Sequence, residues 1–145
     1  EFIIYSSLVN VIKPMEAKHL KDYEYCTKVM ADYIVTHSVE DIIKQLSKPV
    51  GYLINIIETK HFRVVSSRDK DPELKENWEM GSNIQRLTAL LETLYYLRCN
   101  LFHGQKEYSP EQVNLLKSAG ECLCIINKVI VNIYKTEMSN ILKGE

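Results

Sequence analysis

Glycine and proline are scarce, with five and four in 145 residues, and turn chemistry is scarce with them. Strict apolar alternation is hard to find anywhere. Half-buried strands read with period two and need frequent turn residues, so this excludes a strand-rich sandwich or barrel. Charge of one sign is not in excess either: 18 Lys and Arg stand against 19 Asp and Glu. A net charge of -1 lacks the broad positive field of a protein that coats nucleic acid, so any phosphate contact has to be local. Long apolar runs are missing. The best candidate, Cys122 to Tyr134, is broken by Asn127, Lys128 and Asn132, and no membrane span is expected. Cysteine is limited to Cys26, Cys99, Cys122 and Cys124, too sparse for a disulfide scaffold, which points to free thiols in a reducing, cytoplasmic setting. Cys122 and Cys124 lack the second Cys or His pair that a structural zinc site demands. Gly81 and Gly104 have no glycine neighbours to make a phosphate-cradling loop. Neither a metal nor a cofactor is expected.

What is present is ordinary globular composition, 46% hydrophobic and 26% charged, in a length that suits one compact domain over residues 1–145. The opening Glu1-Phe2-Ile3-Ile4 has neither an initiator Met nor a basic leader, which suggests a processed protein or a domain cut from a longer chain.

The spacing predicts helices throughout. Phe2, Leu8 or Val9, and Ile12 recur at helical intervals before Pro14 stops the first segment. Leu20, Tyr23, Thr27, Met30 and Ile34 line one face of a long amphipathic helix from Met15 to about Thr36. Ser38 with Asp41 three residues on resembles a capping box for a third helix. Pro49 and Gly51 then either restart it, with Ser47 as N-cap, or kink one continuous helix. From Lys60 to about Gly81 the pattern fades into a long polar loop, with a short helix across Pro72 to Met80. Ser82 or Asn83 caps a helix striped with Ile84, Leu87, Leu90, Leu91, Leu94, Tyr95, Leu97 and Leu101, which ends near Gly104. Ser109-Pro110-Glu111-Gln112 opens a last helix reaching about Leu142, antiparallel to the one before it. The expected architecture is all-α, an antiparallel up-and-down bundle of four to six helices.

Chemistry concentrates where the apolar helix ends, in Tyr95-Tyr96-Leu97-Arg98-Cys99-Asn100-Leu101-Phe102-His103-Gly104-Gln105-Lys106. On an ideal helix Arg98 and His103 stand roughly 140° apart, while Asn100 and His103 share a face. A helix unwinding at Gly104 places His103 among unpaired carbonyls at the negative end of the dipole, which favours imidazolium, and lets Arg98 turn into the same groove. Simpler roles stand beside these. His103 can bond the last carbonyls of its helix, Arg98 can pair with Glu92 or Glu107, and Tyr95 and Tyr96 can belong to the core or to a dimer interface with Leu94 and Leu101.

Arg98-x4-His103 at the end of the penultimate long helix, with Asn100 inside it, Phe102 before His103 and Gly104 after, resembles the HEPN superfamily (higher eukaryotes and prokaryotes nucleotide-binding). The motif covers seven residues, and the helical order is similar over most of the chain. Where active members commonly carry Asn or Asp after the Arg, this chain has Cys99. The resemblance implies a bundle that pairs as a homodimer, so that two motifs form one composite cleft. It also implies metal-independent endoribonuclease activity on single-stranded RNA, or binding of a nucleotide phosphate without catalysis. Roles as a toxin or defence effector, with an antitoxin or other protein partner, come with the family. The catalytic set implied here is Arg98, Asn100 and His103, with Lys106, Tyr95 and Tyr96 binding substrate. Lys60, His61, Arg63 and Arg68 are the further basic residues that can add local charge.

Overall fold

A computed structural model describes residues 1–12, 20–38, 41–59, 72–102 and 110–144. Among them there are helices and no strand, as the absence of period-two alternation requires. The elements are α1 (Phe2–Ile12), α2 (Asp22–Glu24), a π-helical turn (Tyr25–Val29), α3 (Met30–His37), α4 (Ile42–Thr59), α5 (Leu74–Met80), α6 (Asn83–Phe102) and α7 (Pro110–Lys143). The junction residues Glu24, Val29 and Met30 all keep right-handed helical backbone, so α2, the π turn and α3 run on as one rod.

Several boundaries differ from expectation for local reasons. Lys21 is extended (φ -62°, ψ 145°), so the second helix starts at Asp22 and not at Met15, and residues 13–19 lie outside the described set. Its apolar face is otherwise as expected: Thr27, Met30 and Ile34 are fully buried. The wider π turn brings Tyr25 and Cys26 inward as well. Ser38 does not open the third helix. It ends α3 with an extended backbone, its N–H bonded to the Ile34 carbonyl, and Asp41 caps α4, its Oδ1 accepting from the Lys44 N–H at 3.0 Å. Pro49 lies inside one continuous helix, and Ser47, expected as an N-cap, donates its hydroxyl to the Lys44 carbonyl at 2.7 Å.

The start of α6 follows expectation closely. The Ser82 N–H donates to Gln85 Oε1 at 2.8 Å and the Gln85 N–H to Ser82 Oγ at 3.3 Å, a reciprocal capping box. Between α5 and α6 the chain turns at Gly81, where an added Cβ would sit 2.5 Å from the Asn77 carbonyl oxygen. That oxygen already accepts the Gly81 N–H at 2.9 Å and cannot move away without breaking the bond that ends α5. Gly81→Ala should therefore lower stability by about 1–3 kcal/mol, the usual penalty for forcing volume into a filled space. A urea midpoint displaced downward with an unchanged slope would show it.

The core runs the length of the molecule. Backbone contact is most extensive between α4 and α7 and between α1 and α7 on one side, and between α6 and α5, α3 and the π turn on the other. Leu87, Leu90, Leu91 and Leu94 from α6 and Leu123, Ile126 and Ile130 from α7 fill the space within. These large side chains lie between α6 and α7, and the most extensive backbone contact of α7 is with α4. Two buried hydroxyls are satisfied by main-chain carbonyls. The buried Tyr5 hydroxyl donates to the Cys26 carbonyl in the π turn, and Thr93 Oγ1 donates to the Ala89 carbonyl at 2.8 Å. No helix among the described residues is long and apolar enough to cross a membrane.

Candidate functional site

Arg98, Cys99 and Asn100 occupy the last turns of α6, all half-buried. Arg98 closes a narrow cleft between α1, the π turn and α6, lined also by Phe2, Tyr5, Ser6, Cys26 and Tyr95. The free volume there is about 10 Å³, room for one water at most. The aliphatic stem of an arginine can pack against such walls while its charge stays near the surface. A nucleotide does not fit inside, so any phosphate held by Arg98 sits at the mouth of the cleft. His103 and Lys106, the other cationic members of the expected set, lie outside the described residues, as do Lys60, His61, Arg63 and Arg68.

Tyr95 and Tyr96 are half-buried beside Tyr23, which the sequence placed on the apolar face of its helix but not in the site. Tyr23 packs against both, at 5.2 Å edge-on to Tyr95 and 5.7 Å tilted against Tyr96, and the two α6 rings meet each other at 6.1 Å. The Tyr23 hydroxyl donates to Glu92 Oε1 at 2.7 Å. Spacing along α6 shows that Glu92, Tyr95 and Tyr96 share a side, but Tyr23 lies 69 positions from its acceptor and no local pattern could pair them. Two consequences follow. Glu92, weighed above as a carboxylate partner for Arg98, accepts from Tyr23. Tyr95 and Tyr96, expected in the core, in a dimer interface or binding substrate, form a three-ring cluster with Tyr23.

Burial raises the Tyr95 hydroxyl above its ordinary pKa, with Cys99, Asp22 and Cys26 adding to the rise and Arg98 opposing it. Tyr23 is raised further, by burial and then by its bond to Glu92. Tyr23 and Tyr95 therefore stay neutral across physiological pH, where they supply shape and a hydrogen-bond donor.

The cysteines are free, Cys26 and Cys122 buried and Cys99 and Cys124 half-buried. Burial, then the Glu121 carboxylate, pushes the Cys122 thiol up to about 12. Unfolding lets this thiol and the raised tyrosines ionise at ordinary values, so the unfolded chain binds fewer protons than the folded one at high pH. Their contribution is fully present below pH ~8.5 and is lost as pH rises toward 12. Thermal melting should fall steadily above pH ~9, and native Cys122 should resist iodoacetamide at pH 8 while Cys99 and Cys124 react. Labelling of Cys122 before the others would contradict the burial argument.

Among the described residues no cluster of three His, Cys, Asp or Glu could hold a metal ion. A wider groove of about 400 Å³ between α4 and α5 carries Glu58, Glu73, Glu76 and Glu79 against Lys75, a surface that repels phosphate. What the fold and the helix end together define is an all-α bundle that carries an arginine and an asparagine on a half-buried helix terminus. No family model, curated protein or solved structure matches the chain.

Proposed function

We propose that this chain is a HEPN-like, metal-independent endoribonuclease-type domain that binds or cleaves single-stranded RNA at a composite cleft between two copies. The observation that carries the reading is Arg98, half-buried at the end of α6 beside a cleft too small to admit a nucleotide. The phosphate must be held at the surface, where a second copy can complete the site. Attack of the RNA 2′-hydroxyl on its own phosphodiester needs a base, an acid for the 5′-oxygen that leaves, and positive charge on the phosphorane. In this reading His103, with an ordinary pKa near ~6.5, serves as acid or base, Arg98 grips two phosphate oxygens, and Asn100 orients His103 or a phosphate oxygen. Lys106 adds charge nearby. Tyr95 and Tyr96 border the site, steadied by Tyr23.

The second reading is a catalytically silent nucleotide-binding or protein-interaction module. Cys99 after Arg98 favours it, and so does the packing of Tyr23 on both aromatics that would otherwise stack on bases.

The deciding experiment incubates the purified protein with mixed single-stranded RNA in EDTA, beside His103→Ala. Fragments ending in 2′,3′-cyclic phosphate that vanish in the folded variant are expected. Intact RNA, with retention of labelled nucleotide that is lost in Arg98→Ala, would leave the silent module.

A further inference from the structure

We infer that the apolar groove between α4 and α5 binds a small organic amine, an ammonium group carried on an aryl or alkyl body. The inference goes beyond the proposed function and does not rest on it. Among the described residues the groove shares no lining residue with the Arg98 cleft.

The floor selects the body. Ile54 and Ile57 of α4 and Leu74 of α5 line the groove and pack into the core. Met80, the last residue of α5, also lines it, yet 85% of its surface is exposed. A flexible thioether left bare beside an apolar hollow can settle on bodies of different shape. The free volume of about 400 Å³ falls within the roughly 300–1,000 Å³ typical of small-molecule pockets. A stable protein partner spreads over about 20–30 residues a side, whereas eleven described residues line this groove. The hollow therefore suits a ligand that it can enclose.

The rim selects the charge. Four glutamates line the groove against one lysine, Lys75. That lysine is committed: its Nζ lies 2.9 Å from Glu58 Oε1 and donates to Oε2 at 3.1 Å, bridging α5 and α4. Glu76 and Glu79 form no salt bridge among the described residues, and three positions apart they share a side of α5. Thr93 of α6 is 1% exposed and gives its hydroxyl proton to the Ala89 carbonyl at 2.8 Å, so its oxygen can only accept. With seven residues, α5 is too short for its dipole to offset the carboxylates. The side chains still open to a ligand thus present acceptors and negative charge around an apolar floor. An anion is repelled there, and a neutral apolar molecule leaves the carboxylates unanswered. An amine with an apolar body meets both requirements.

The test is a titration of the intact, isotope-labelled chain followed by its amide NMR signals, with circular dichroism to confirm folding. Three probes share a phenyl body and differ in charge: phenethylamine, phenethyl alcohol and hydrocinnamate. The amine should bind about tenfold more tightly than the alcohol at low salt and lose most of that advantage in about 0.5 M NaCl, while hydrocinnamate binds least. The double variant Glu76→Gln, Glu79→Gln, altered only at exposed positions, should abolish the advantage and leave the alcohol's affinity unchanged. Met80→Ala should weaken amine and alcohol together. Equal affinity for amine and alcohol, tighter binding of the acid, or a preference that survives the double variant overturns the proposal. The absence of any saturable shift, the result if residues 60–71 of this chain occupy the groove themselves, overturns it as well. RNA cleavage assayed on the same samples reports on the other reading separately.

Discussion

Leu94→Ala should cost the isolated protomer about 2–5 kcal/mol, enough to remove much of the stability of a domain this size. Leu94 is 2% exposed, at the centre of α6, and lines the narrow cleft with Leu91, Tyr5 and Leu123. Removing three carbons there leaves a void between α1, α6 and α7 that rigid helices cannot close, so the transfer and cavity penalties add. The loss should appear as a lower urea midpoint that does not depend on protein concentration. Concentration dependence would instead place Leu94 in an interface between copies, the role its spacing beside Tyr95 and Leu101 suggested. The structure puts it in the protomer's own core, and the exposed apolar surface lies on α1 and at the end of α7.

In the proposed ribonuclease reading, Arg98→Lys should reduce RNA cleavage by about a hundredfold or more while changing stability by less than about 1 kcal/mol. Lysine keeps the charge and most of the stem, so packing along the cleft wall survives. It loses the planar fork that can hold two phosphate oxygens at once as charge builds on them. An interaction made chiefly in the transition state should lower kcat and kcat/KM together, whereas a ground-state phosphate contact would raise KM alone. Full activity in Arg98→Lys would mean that only net charge matters, and would remove the arginine from the chemistry.

The rod from Asp22 to His37 shows what periodicity can and cannot reveal. Thr27, Met30 and Ile34 announced its buried face, yet the π turn within it and the extended Lys21 before it left no mark in the spacing. A π turn is one residue of extra winding, stabilised by what packs against it, here α6 and the Tyr5 hydroxyl from α1. Caps were legible where the chemistry was local. Ser82 and Gln85 bond each other as spaced. Ser38 does not open α4 because it is the residue that closes α3, and Asp41 stands at the start of α4.

The candidate site divides in the same way. Arg98 and Asn100 at a helix end, the missing long apolar run and the all-α class could be read from residue order, because helical period, capping and charge are short-range properties. Tertiary structure alone decided that Tyr23 reaches Glu92 and both α6 tyrosines, and that Leu94 is core. It also decided that Arg98 borders a cleft with no room for a nucleotide and that α1 is left half bare. Each of those depends on which helices lie side by side. That choice is settled by the fit of side chains distant in sequence, and the pattern along any single helix does not contain it.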